Sequence, residues 1–232
     1  MQMMVTCDYR QFKAALNAAL AVASSEPFDV VRLYPQLELC RLGIAAASPK
    51  SIFISYLDLE LMKESAFEVE VVEVSVQDAK ALKALPIRAL DDETPMVGIT
   101  FYDDKVELTD ETGLGLGIRK ISVRRQSPTD SVANLAEASD RALAMEYTDS
   151  LPLHKEQAAL LSKVLSCLKA SAKLSYRQIE PGVSKLRAVG STFLLTVQAG
   201  KAKKEVGKPT LAHQDTRQGP ILEIARPTGG IA

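Results

Sequence analysis

Few residues of this chain have the types and spacing that metal binding needs. His154 and His213 are the only histidines among 232 residues, and neither has a histidine or cysteine at the spacing of a zinc site. Cys7, Cys40 and Cys167 are odd in number and none forms a CxxC pair, so we interpret them as reduced thiols. The sequence therefore predicts no metal and no cofactor.

Two groups of adjacent carboxylates, Asp91-Asp92-Glu93 and Asp103-Asp104, have side chains that acid–base catalysis or magnesium binding could use. Both groups fall in predicted turns, where solvated acidic residues are common. No nucleophile-elbow pattern such as GxSxG occurs in the sequence. We therefore expect a protein that is not an enzyme.

The segment TGLGLGIRK contains Gly113, Gly115 and Gly117 and invites comparison with a phosphate-binding loop. A dinucleotide fingerprint requires a preceding strand, a following helix and the spacing GxGxxG. Here a strand is predicted to follow the glycines. A glycine-rich β-turn or bulge is the better interpretation.

The composition is that of a folded protein, with 47% apolar and 25% charged residues. Its 28 Lys and Arg residues nearly balance 29 Asp and Glu residues, so any contact with nucleic acid must come from how charge is distributed. No secretory leader pattern and no run of about 18 apolar residues is present. We expect a cytoplasmic protein with no membrane contact, or one in the cytoplasm of an infected host cell if it is viral.

Residues 1–126 alternate between helical and strand patterns and are predicted to form one α+β domain. A helix is expected over residues 9–24, with Asp8 as its cap, and a second over 76–85 before Pro86. Strands are expected at 3–7, 30–33, 37–45, 51–57, 67–76, 96–102, 105–109 and 117–125. In the strand over 67–76, glutamates alternate with valines, which predicts an acidic wet face.

The second half repeats this plan. Residues 127–150 are predicted to be an interdomain linker and the first strand of the second domain. That strand is placed over residues 142–147, whose pattern fits either a helix or a strand. A helix over 153–171 and a hairpin of strands 173–179 and 185–197 follow, and 221–224 is a last short strand. Residues 151–232 are thus expected to form a second domain that is reduced in size.

Basic residues concentrate on the predicted helices, whereas the strands over 67–76 and 105–109 carry glutamates. A row of lysines is most often a solvated helix face. Lysines on helices can also follow phosphates without reading bases, which gives salt-sensitive binding that is independent of sequence. The candidate residues facing DNA are Arg10, Lys13, Lys80, Lys83, Lys155, Lys163, Lys169 and Lys173.

This order of elements resembles the DNA sliding-clamp superfamily, which includes the bacterial beta clamp, proliferating cell nuclear antigen and phage clamps. The segments VTCDYRQFKAALNAALAVASS, SVQDAKALKAL and MVGITFYDDKVELTD are similar to the opening helix, the second helix and the following hairpin of a clamp domain. LPLHKEQAALLSKVLSCLKAS and KLSYRQIEPGVSKLRAVGSTFLLTVQ are similar to the start of the next one. The likeness covers most of residues 3–198.

The resemblance implies two clamp-like domains, each with helices packed on antiparallel sheet, in a ring whose helices line the hole. Three copies would supply the six domains usual in the family, so a homotrimer is favoured. It implies that the eight basic residues face duplex DNA, and that a polymerase or another replication protein docks in an apolar pocket near residues 126–150 and the C-terminal segment.

We therefore predict a processivity factor that tethers a DNA-acting partner by encircling DNA. Two alternatives remain open at this point. One is a nucleic-acid-binding accessory protein that forms no ring, and the other is a structural or adaptor protein whose lysines only interact with solvent.

Overall fold

The computed structural model describes residues 2–63, 71–87, 93–113, 119–126, 135–147 and 153–200. These residues form an α+β fold, as predicted. The helices are α1 (Tyr9–Val22), α2 (Val76–Leu82), α3 (Leu135–Ala144) and α4 (Lys155–Leu168). Within this described part, no helix is long and apolar enough to cross a membrane.

The strands are β1 (Gln2–Asp8), β2 (Val30–Gln36), β3 (Arg41–Ser48), β4 (Ser51–Asp58), β5 (Leu61–Lys63), β6 (Val72–Ser75), β7 (Met96–Tyr102), β8 (Lys105–Asp110), β9 (Lys120–Arg124), β10 (Lys173–Glu180), β11 (Val183–Val189) and β12 (Phe193–Gly200). They make a five-stranded sheet, β5-β1-β7-β8-β9, and a seven-stranded sheet, β10-β11-β12-β4-β3-β2-β6. All the pairs are antiparallel.

The seven-stranded sheet joins the two halves of the sequence. β12 pairs with β4, with Leu194 opposite Ile54 and Leu195 opposite Phe53. Because side chains alternate across a strand, Phe53 and Leu195 enter the main core while Ile54 and Leu194 enter a smaller core on the other face. One continuous sheet therefore carries two apolar layers.

Three helices cover one face of this sheet, and α3 lies against the other. α1 packs on β3 and β4, with α4 on one side of it and α2 on the other. α3 contacts β3 and β4 through the smaller core, to which Ala138 and Ala142 contribute. We call the face covered by α4, α1 and α2 the inner face and the face covered by α3 the outer face.

The first helix forms where its pattern predicts. The Asp8 carboxylate accepts hydrogen bonds from the backbone amides of Arg10 (2.7 Å) and Gln11 (3.4 Å), which satisfies two otherwise unpaired donors. Phe12 and Leu16 are fully buried. The helix ends at Val22, before the predicted residue 24, because Ala23 has an extended backbone (φ −54°, ψ 142°).

Three sequence predictions of local structure are wrong. A 3₁₀ turn, Leu37–Leu39, replaces the start of the strand expected over 37–45, and it ends at Cys40 with φ 49°. The strand expected over 185–197 is two strands, β11 and β12, because Gly190 N bonds to Phe193 O (3.0 Å) and closes a turn. The strand expected over 142–147 is absent, since α3 extends to Ala144 and no strand follows as far as residue 147.

The prediction that the glutamates of residues 67–76 face solvent is also wrong for the described part of that segment. Only β6 is described from that segment, and its Glu73 is fully buried. Glu73 lies opposite Arg32 of β2 and forms an ion pair with it. Alternation predicted an exposed glutamate, but a partner across the strands allows the charge to be buried.

Several predictions concern residues outside the described part of the chain. They include Asp91, Asp92, Gly115, Gly117, His213 and the strand over 221–224. The division into domains at 126 and 150 stays a prediction.

Candidate nucleic-acid interface

The candidate interface is the solvent side of the three helices on the inner face. The sequence places apolar residues of α4 at steps of three and four, and Leu161 and Val164 are buried against the sheet as predicted. The buried residues of α1 follow the same rule. The opposite side of each helix is polar and carries the basic residues, with Glu156 as an exposed acid at the start of α4.

Tyr9 fixes the beginning of α1 to the end of α2. Its hydroxyl donates to the carbonyl oxygens of Leu85 (2.6 Å) and Lys83 (3.1 Å). Burial raises the pKa of Tyr9, and Asp110 raises it further, so the phenol keeps the proton that it donates. Lys83 in turn donates from Nζ to Asn17 Oδ1 of α1 (3.1 Å). The cations of α1 and α2 are therefore held on one surface.

Gln157 fixes α4 to the sheet. It is fully buried, and its side-chain amide donates to the carbonyl oxygens of Val197 (3.1 Å) and Ser184 (3.2 Å). Its Oε1 accepts from the backbone amide of His154 at the start of the helix (3.2 Å). Sequence reasoning missed this residue, because a single glutamine in a helix shows no sign of its burial.

Six of the eight predicted basic residues are exposed on or beside the three helices, and a seventh is partly buried. Lys83 is the partly buried residue, owing to its contact with Asn17. Lys13 lies over the ring of Tyr9, with Nζ 5.5 Å from the ring centre. The exposed residues are Arg10, Lys13, Lys80, Lys155, Lys163 and Lys169.

Lys173 does not lie on the helix face as predicted. The helix ends at Leu168, and Lys169 caps it with a left-handed backbone (φ 49°). Lys173 opens β10 opposite Val189, whose side chain packs against the smaller core of the outer face. The sequence prediction extended the helix beyond residue 168, and for that reason it placed Lys173 on the inner face instead of the outer one.

The glutamates of the sheets are largely neutralised by neighbours. Glu107 accepts a hydrogen bond from Ser122 Oγ (2.8 Å), and Lys105 Nζ lies 3.3 Å from the same carboxylate. The Ser122 hydrogen bond is the main cause that holds the pKa of Glu107 below its usual value, although burial opposes it. With Glu73 also paired, the separation of charge between helices and sheets is weaker than the sequence predicted.

The outer face has a basic residue that sequence reasoning missed. Arg187 of β11 donates to the carbonyl oxygens of Ala142 (3.1 Å), Leu143 (2.8 Å) and Met145 (3.2 Å). These carbonyls lie at the C-terminal end of α3, where a cation is favourable. Arg187 therefore anchors α3 to the sheet.

A cavity of about 370 Å³ lies between α3 and the seam of β4 and β12. Its lining includes Ile54, Tyr56, Leu143, Val189 and Phe193. Over the described ranges, no cluster of histidine, cysteine or acidic side chains could hold a metal ion. The lining also includes the charged side chains of Arg41, Asp58 and Asp140, so the cavity offers both apolar and polar contacts.

The order of strands and helices defines the fold of DNA sliding clamps, which confirms the resemblance drawn from the sequence. No family model and no curated protein matches the chain. Similar solved structures are DNA polymerase III beta subunits at 10–13% identity.

The subunit from Thermotoga maritima has a TM-score of 0.55 at 10% identity, over 87% of this chain and 65% of that one. The subunit from Borrelia burgdorferi has a TM-score of 0.54 at 13% identity, over 84% of this chain and 63% of that one. The sliding clamp of Pseudomonas aeruginosa has a TM-score of 0.53 at 11% identity, over 88% of this chain and 66% of that one. This chain thus spans slightly less than two thirds of each of these proteins.

Proposed function

We propose that this protein is a subunit of a sliding clamp that encircles duplex DNA in the cytoplasm and tethers a polymerase or another replication protein to it. The single observation that supports this most is the row α4, α1, α2. It presents cations from both halves of the sequence on one side of a continuous sheet. Such a surface suits loose contact with a phosphate backbone.

Contacts between the helices and with the strands hold the basic residues in one surface, which supports a common binding face. Tyr9 and Lys83 join α1 to α2, and Gln157 joins α4 to the strands. Glu156, an acid at the start of α4, has Lys50 Nζ 3.8 Å from its carboxylate. The proposed DNA-facing set comprises Arg10, Lys13, Lys80, Lys83, Lys155, Lys163 and Lys169.

The ring would close by pairing of strand edges between copies. Within the chain, the seam between β4 and β12 is such a pairing. β9 ends the five-stranded sheet, and just beyond it Gln126 bridges to Glu73 of β6. In the described part, Lys120–Arg124 of β9 pairs with no strand on its outer edge, and we propose this edge for contact with another copy. A trimer is the proposed assembly, and light scattering should give three times the 25.2 kDa of one chain.

The cavity beside α3 is the proposed docking site for the tethered partner. Leu143 of α3 and apolar side chains of both strands at the seam line it, together with the carboxylates of Asp58 and Asp140. Because it lies on the outer face, a partner bound there would leave the helices free for DNA. The protein itself needs no catalytic group for this role.

The test compares retention on circular and linear DNA. A protein that encircles DNA stays on a closed circle and slides off free ends, so the ratio of retained protein should fall sharply when the circle is cut. The double variant K163E/K169E should lose retention. R177E/K185E makes the same change of charge on the outer face and should keep it.

Two results would contradict the proposal. One is equal retention on circular and linear DNA, which would favour an open binding face. The other is a mass of one chain at every concentration, which would exclude the ring.

A further inference from the structure

The outer face carries three cations close together on β10 and β11. Arg177 lies directly opposite Lys185, and Arg187 is two residues along the same face of β11. Like charges opposite each other on antiparallel strands are destabilising. The arrangement therefore needs a compensating interaction.

The described part of the chain compensates Arg187 through the end of α3 and Ser175, but offers Arg177 and Lys185 little compensation. No carboxylate of the described residues forms an ion pair with Arg177, Lys185 or Arg187. Burial lowers the pKa of Lys185, and Arg177 lowers it further. An anion bound between the two side chains would oppose both effects, because a nearby negative charge favours the protonated lysine.

Arg187 is held rigidly beside this pair. Its guanidinium lies 4.2 Å from the centre of the Tyr147 ring, and its Nε donates to Ser175 Oγ (3.0 Å). Together with its bonds to the end of α3, these contacts fix the guanidinium in place. Binding of an anion here would cost little side-chain entropy.

The surroundings of the three cations indicate a peptide. Arg177, Arg187, Met145, Glu146 and Tyr147 line an open depression of about 650 Å³. Exposed apolar side chains lie nearby, with Met145 40% and Leu143 48% exposed at the end of α3. With three cations against the one carboxylate of Glu146, the surface is positive on balance. It is matched by a segment that mixes carboxylates with apolar side chains.

We propose that Arg177, Lys185 and Arg187 form a binding site for an acidic peptide segment of a partner protein, with its carboxylates on the cations and its apolar side chains on Leu143 and Met145. Arg177 suits a carboxylate because its planar fork can donate two parallel hydrogen bonds. Arg187 contributes mainly its charge, because its Nε and one Nη already donate to Ser175 and to the end of α3. The site lies on the face of the sheet opposite the helices and shares Leu143 with the proposed docking cavity. It therefore rests on that part of the proposed function and adds to it the acidic character of the partner segment.

The test uses a fluorescein-labelled octapeptide of alternating leucine and glutamate and measures fluorescence anisotropy. The acidic peptide should bind saturably, and the same peptide with glutamine for glutamate should bind at least about tenfold more weakly, as expected when a charge-assisted hydrogen bond is lost. The double variant R177Q/K185Q should bind the acidic peptide more weakly by a similar factor. These positions are chosen because, unlike Arg187, they do not hold α3.

The matched control is K163Q/K169Q, which removes two cations from the inner face and should leave peptide binding unchanged. Circular dichroism would verify that both variants are folded. R177Q/K185Q should still be retained on circular DNA, so this proposal and the clamp proposal can fail separately.

Three results would overturn the peptide site. The first is no saturable binding of the acidic peptide, and the second is equally strong binding of the glutamine peptide. The third is an equal loss of peptide binding in R177Q/K185Q and in K163Q/K169Q. Displacement of the peptide by a short duplex oligonucleotide from the unaltered protein, but not from R177Q/K185Q, would assign the cations to nucleic acid instead.

Discussion

Arg32 of β2 and Glu73 of β6 form an ion pair across neighbouring strands, with side chains that are 4% and 0% exposed. The pair lies near the edge of the seven-stranded sheet, where β6 leads into α2. It helps to fix the strand from which one of the basic helices begins.

Glu73→Leu should destabilise the protein strongly, because it leaves the Arg32 guanidinium buried without its carboxylate. Removal of one partner of a buried pair costs about 3–5 kcal/mol. Urea denaturation would measure the loss in the free energy of unfolding. The matched control is the double variant R32M/E73L, which should recover most of that loss, and a double variant as unstable as the single one would contradict the explanation.

Gln157→Leu should loosen α4. The substitution keeps the side chain's size but removes the side-chain amide that donates to the carbonyls of Ser184 and Val197, at a cost of about 1–3 kcal/mol. Thermal unfolding should show the loss, and amide exchange should rise in α4 before it rises in α1. Gln11→Leu, an exposed change on α1, should have little effect. Unchanged exchange in α4 would show that the amide does not anchor it.

Asp8→Ala should cost about 1 kcal/mol, since it removes the cap from the first turn of α1. Asp8→Asn keeps a side-chain acceptor and should recover most of the loss. Denaturant titration would measure both variants. If the asparagine variant were as unstable as the alanine variant, charge near the helix dipole, and not the hydrogen bond, would be the cause.

Cys7 should be unreactive toward thiol reagents at pH 8 in the folded protein. Burial, with smaller effects of Asp8 and Glu60, raises its pKa to about 12. Because the folded state favours the protonated thiol, this stabilisation is complete below the ordinary pKa of 9.0 and is lost as pH rises toward about 12.

Mass spectrometry after brief treatment with iodoacetamide would locate the reacted cysteines. The exposed Cys40 should react first, and Cys7 should react only after denaturant is added. Cys40→Ser serves as the control, because it should abolish the fast reaction and leave the slow one. Rapid modification of Cys7 under native conditions would contradict its burial.

Much of the fold was accessible from the sequence because it depends on local periodicity. The helices α1 and α4, the hairpin of β7 and β8 and the cap at Asp8 all follow from spacing of apolar residues and from turn or capping residues. The clamp-like order of elements could be recognised from these features alone.

The failures have a common physical origin in contacts between distant residues. Glu73 is buried only because Arg32 lies across the sheet, and Gln157 is buried only because two strands some 27 and 40 residues later accept its hydrogen bonds. The basic cluster of Arg177, Lys185 and Arg187 depends on strand register. For the helix face, the lysines of α4 were predictable up to residue 169, but the turn that sends Lys173 to the other side was not.

The seam between β4 and β12 also has a mechanical consequence. There a ladder with five residue pairs in register joins β4, in the first half of the sequence, to the last described strand. A protease cut between β9 and α4 would leave both fragments bound to each other, because the seam does not depend on the connecting chain. Any opening of an assembly built from this subunit would therefore occur at a boundary between chains, and the seam would move as a stiff unit.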